Sequence, residues 1–66
     1  MTHKTAERKY RSLVRTIAEE GNNLTLANQL LDLYPVLGIN GNWAADDVQR
    51  VRCGEKMKPL PAAELR

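Results

Sequence analysis

The chain has little of what usually staples a small protein together. It contains one cysteine, Cys53, and one histidine, His3. A lone cysteine rules out an internal disulfide, and one Cys with one His cannot make a tetrahedral Cys/His zinc site. An unpaired thiol suits a reducing compartment. There is no Phe, and one Trp and two Tyr must supply the aromatic volume of any core. No apolar run is long enough to span a bilayer. The N-terminal bases Lys4, Arg8, Lys9 and Arg11 are not followed by the apolar stretch of a secretory signal. A cytoplasmic protein with no membrane part is expected. Charge of one sign is also scarce: ten Lys and Arg against eight Asp and Glu leave +2, too little to imply nucleic acid without a favourable distribution. No paired acid/base, nucleophile–base or phosphate-cradling motif is legible. The expectation is therefore a protein that is not an enzyme, with no cofactor and no metal.

At 66 residues the chain makes one domain at most, and a domain of this size buries only about 60% of its unfolded surface. With disulfides and metals excluded, self-association is the stabiliser left, and a homo-oligomer is expected.

What is present is helical periodicity, and the expected fold is all-α. Three short helices are separated by an apolar loop between the second and third and followed by an extended C-terminal tail. The domain would cover 1–54 and the flexible tail 55–66. The first helix is expected over about Thr5 to Glu20, capped by Thr2 or Thr5, with Ala6, Tyr10, Leu13, Val14 and Ile17 on its inner face. Gly21 stops it. The second, within Asn22 to Tyr34, carries Leu26, Ala27, Leu30, Leu31, Leu33 and Tyr34 around more than half of its circumference. That pattern suggests a central helix or an interface, and Pro35 is expected to end it. Pro35 to Asn42 then reads as a loop folded over the core, and Asn42 as the cap of a third helix, about Trp43 to Cys53, stopped by Gly54.

Two patterns point to binding. Lys4, Arg8, Arg11 and Arg15 fall within a sector of roughly 60° on the first helix, away from its apolar face. Such a row can follow phosphates, with Arg50 and Arg52 adding charge at the far end of the chain. Against it stand helical ion pairs of Glu7 with Arg11 and of Arg15 with Glu19, which would leave an ordinary solvated face. The second pattern is apolar: Leu33, Leu37 and Trp43 are candidates for contact with a protein partner, although Trp43, the largest side chain in a chain without Phe, suits the core better. The partner is thus nucleic acid, or alternatively a protein. Cys53, near a helix C-terminus with no histidine partner, offers no activated thiol.

Leu24 to Leu31 resembles the first helix of a helix-turn-helix unit. Two features argue against that unit here. The Pro35–Asn42 connection exceeds the usual three or four residues, and the would-be recognition helix begins Trp43-Ala-Ala-Asp-Asp, so that Asp46 and Asp47 bring the wrong sign to a phosphate field.

Overall fold

The computed structural model describes residues 2–60 and contains three helices: α1 (His3–Glu20), α2 (Leu24–Leu37) and α3 (Gly41–Arg52). The fold is all-α, as the periodicity implied. The part of the expected tail formed by residues 61–66 lies outside the described residues.

α1 begins at Thr2, whose hydroxyl accepts from the Thr5 N–H at 3.2 Å. It ends at Gly21, in a positive-φ conformation (φ 91°) that favours glycine, with its N–H donating to the Ile17 carbonyl. Ala6, Tyr10, Val14 and Ile17 are buried along one face, the face read from their spacing. α1 packs against both α2 and α3, so α1, not α2, is the central helix. A three-helix chain can cover only one side of α2. Leu30, Leu33 and Leu37 fill the core from it, while Leu24, Leu31 and Val36 stay 77, 59 and 38% exposed.

Pro35 does not end α2. The helix continues through it to Leu37 and closes at Gly38, which is left-handed (φ 71°, ψ 32°) and donates its N–H to the Tyr34 carbonyl. A proline inside a helix costs about 3 kcal/mol, chiefly through one missing hydrogen bond and a clash one turn back. Here the affected residues, Leu31 and Pro35, are both exposed, where water can serve the Leu31 carbonyl. Leu37 becomes 0% exposed, and full burial of a leucine side chain contributes about 1.5–3 kcal/mol. Leucine burial and a glycine cap together offset the proline.

The expected loop therefore shrinks. Val36 and Leu37 are helical, and only Gly38, Ile39 and Asn40 connect α2 to α3. Asn40, rather than Asn42, caps α3: its Oδ1 accepts from the Trp43 N–H at 3.0 Å. Gly54 (φ 81°) turns the chain after α3. The following segment runs back across the bundle, and Leu60 joins the core at 3% exposure.

Candidate nucleic-acid interface

The basic row on α1 is held by the burial of the opposite face. With Ala6, Tyr10, Val14 and Ile17 facing inward, helical geometry directs Lys4, Arg8, Arg11 and Arg15 to solvent, and all four are exposed. One of the two expected ion pairs forms, Arg11 to Glu7 at 2.8 Å. The Arg15–Glu19 pair does not. Among the described residues no carboxylate lies within 4.0 Å of Lys4, Arg8, Lys9 or Arg15.

The other two candidate cations lie apart from each other. Arg50 reaches Glu55 at 3.7 Å and donates to the Lys56 carbonyl at 3.0 Å, which ties the segment after α3 to the helix. Arg52 donates to the Ile17 carbonyl at 3.4 Å and lines a cavity of about 360 Å³ with Leu30, Tyr34 and Val48. A second hollow, of about 370 Å³, gathers Arg11 and Arg15 with Val51, Glu55, Lys56 and Met57. Lys56, in the segment expected to be a tail, thus extends the α1 row toward the end of α3.

The apolar candidates are distributed differently from the expectation. Leu33 and Leu37 are core residues, 2 and 0% exposed, and cannot meet a partner without unfolding α2. Trp43 is half-buried against the core. The outward apolar residues are instead Leu24, Leu31 and Val36.

Sequence reasoning missed the best-connected polar group, Asp47. It is 0% exposed, and its Oδ2 accepts a hydrogen bond from the Tyr10 hydroxyl. Its Oδ1 accepts from the Lys58 backbone N–H at 3.1 Å and faces the Lys58 ammonium at 3.6 Å. That ammonium also pairs with Asp46 and lies 4.8 Å from the centroid of the Trp43 ring, within cation–π range. The signal was present: Asp47 falls in step with Ala44, Val48 and Val51 on the inner face of α3, and Tyr10 offers a phenol from the inner face of α1. Burial raises the Tyr10 phenol far above its ordinary value near 10, and the hydrogen bond and charge of Asp47 add to that effect. The Lys58 hydrogen bond holds the Asp46 carboxyl below its ordinary value.

Among the described residues no group of three His, Cys, Asp or Glu side chains is placed to hold a metal ion, and no helix is long and apolar enough to cross a membrane. No protein-family model matches the chain, and neither the curated proteins nor the solved structures include a significant match.

Proposed function

We propose that this chain is a small non-enzymatic regulatory protein that binds nucleic acid through the basic row of α1. The observation that carries the reading is the row itself: Arg8 and Arg15 are exposed and free of carboxylates among the described residues, and Arg11 lies between them. Arginines on successive turns can meet successive phosphates, and each neutralised phosphate steepens the salt dependence of binding. Three contacts give log K a slope of roughly −2.7 against log salt for duplex DNA.

The test is fluorescence anisotropy with a labelled duplex over a salt series, comparing wild type with the Arg8→Gln/Arg15→Gln variant. Both side chains point away from the core, so the variant is expected to fold. Its slope should be shallower by about 1.8. Absence of binding at about 50 mM salt, or an unchanged slope in the variant, overturns the reading.

A second reading, a protein-interaction module or homodimer, is supported by the apolar side of α2. Leu24 and Leu31 are seven residues apart and 77 and 59% exposed, so they share one side of the helix. Sedimentation equilibrium of wild type against Leu24→Ser/Leu31→Ser tests it: a dimer that the variant loses supports this reading, and a monomeric wild type removes the homodimer.

A further inference from the structure

We propose that the hollow between α1, the end of α3 and the segment that follows it seats the terminal phosphate of a nucleic-acid strand, held by Arg11, Arg15 and Lys56. The inference rests on the phosphate-binding reading of α1 and deepens it. The strand end is fixed in the hollow, and the strand that follows lies along the rest of the basic row.

The hollow, of about 370 Å³, draws its charge from two distant stretches of the chain. Arg11 and Arg15 line it from α1, and Lys56 lines it from beyond the turn at Gly54. All three residues are exposed, and among the described residues no carboxylate lies within 4.0 Å of Arg15 or Lys56. Arg11 is engaged on one side only, by its Nη2 donating to Glu7 at 2.8 Å, and a guanidinium has further N–H donors for a ligand. The acid in the lining is Glu55, and Arg50 faces it at 3.7 Å. Arg50 also places Lys56. Its Nε donates to the Lys56 carbonyl at 3.0 Å, and its own carbonyl accepts from the Glu55 N–H at 2.8 Å. One arginine therefore offsets the carboxylate beside the hollow and ties the third cation to the end of α3.

Charge and shape favour a strand end over an internal phosphate. Cations from two segments surround one hollow, whereas the internal phosphates of a strand present a line. A terminal phosphate is a monoester with three acceptor oxygens and a charge of about −1.5 to −2 at pH 7. An internal diester has two free oxygens and a single charge. Three cations match the monoester: two guanidinium forks suit bidentate contact with phosphate, and Lys56 adds a point charge. Val51 and Met57, both half-buried, supply the apolar part of the lining, and apolar surroundings strengthen an ion pair by lowering the local dielectric. The row then gives the strand its direction. Arg8 and Lys4 continue it along α1, about 10 and 16 Å from Arg15 at 1.5 Å per residue. Both are exposed, and among the described residues neither has a carboxylate within 4.0 Å. A small phosphate compound in the hollow would leave them unused, and a strand anchored there by its end reaches both.

The experiment measures the anisotropy of an internally labelled duplex, about two helical turns long, in which one strand ends in a 5′-phosphate, in a 3′-phosphate or in hydroxyls only. Wild type is compared with Lys56→Gln, Glu55→Gln and Arg8→Gln, all three at exposed or half-exposed surface positions outside the core, with circular dichroism as the folding check. Glycerol 3-phosphate, a small phosphate monoester, is titrated as a competitor. An exposed ion pair contributes about 1.4- to 5-fold in affinity, so three give wild type a preference of about 3- to 100-fold for a phosphate end over the hydroxyl end. Lys56→Gln should lose about 1.4- to 5-fold of that preference. Glu55→Gln should gain by a similar factor, which a purely structural part for Glu55 would not produce. Arg8→Gln should weaken binding to phosphate-ended and hydroxyl-ended duplexes alike. Equal affinity of wild type for all ends, or an undiminished preference in Lys56→Gln, overturns the assignment of the hollow while leaving the row on α1 intact. Displacement of the phosphate-ended duplex by glycerol 3-phosphate at concentrations near the Kd of the duplex itself also overturns it, because the hollow then takes a small phosphate compound and the strand contributes nothing. Failure to bind any duplex at about 50 mM salt removes both readings.

Discussion

Asp47 is the group whose loss should be felt most. Replacing it by Ala leaves two donors, the Tyr10 hydroxyl and the Lys58 N–H, without their acceptor, and the Lys58 ammonium with Asp46 alone. An orphaned buried polar group costs about 1–3 kcal/mol, and two are left here; the Lys58 ammonium, 24% exposed and still paired with Asp46, adds little. A domain of this length has a total stability of about 3–10 kcal/mol, at 0.05–0.15 kcal/mol per residue. Asp47→Ala should therefore remove much of that stability at 25 °C. Tyr10→Phe keeps the ring in the core and removes only the hydroxyl, so its cost should be smaller, about 1.5–3 kcal/mol for a hydrogen bond to a charged acceptor. The two changes should not add, because each removes the same bond; a coupling of about 0.5–3 kcal/mol is expected. Urea titrations followed by helical circular dichroism and by the fluorescence of Trp43, the single tryptophan, measure all four corners of the cycle. An Asp47→Ala protein within about 1 kcal/mol of wild type would refute the reasoning, since so small an effect is typical of an ordinary surface change.

The same contact predicts alkaline sensitivity. The folded state holds the Tyr10 proton more tightly than the unfolded chain, so this stabilisation is complete below the ordinary tyrosine value near 10. It is then lost as pH rises above that value, by up to about 1.4 kcal/mol per pH unit. Tyr10→Phe should flatten the fall relative to wild type in urea midpoints taken from pH 9 to 11, and parallel curves would exclude Tyr10 as its source. Leu30, 4% exposed and facing α1, should cost about 2–5 kcal/mol when changed to Ala; a melting temperature within a few degrees of wild type would contradict its place in the core. Cys53 is exposed, with only a long contact from the Gln49 amide at 3.8 Å. Cys53→Ser should accordingly leave both stability and duplex affinity unchanged, which denaturation and anisotropy check together.

The sequence by itself determined that there are three helices and which face of α1 turns inward. Ala6, Tyr10, Val14 and Ile17 recur at helical spacing, and the burial of that face follows from apolar periodicity alone. The same spacing placed Arg8, Arg11 and Arg15 on the outside, because whatever faces the core leaves its opposite to water. Thr2 and Gly21 bound α1 through local capping chemistry, which needs no tertiary contact. Tertiary structure decided what depends on competition between distant groups. Pro35 stays inside α2 because burial of Leu37 outweighs a local propensity. That extension shortens the turn to Gly38, Ile39 and Asn40, which local rules had read as part of a long loop. A helix apolar around more than half its circumference does not say which side will be covered, so it took the packing on α1 to bury Leu33 and leave Leu24 and Leu31 outside. The sign and position of charge on α3 were settled in the same way. Asp46 and Asp47 are adjacent in sequence, yet only Asp47 meets Tyr10, 37 residues away along the chain. Lys58 comes to both carboxylates only because Gly54 and the burial of Leu60 carry its segment back across the bundle.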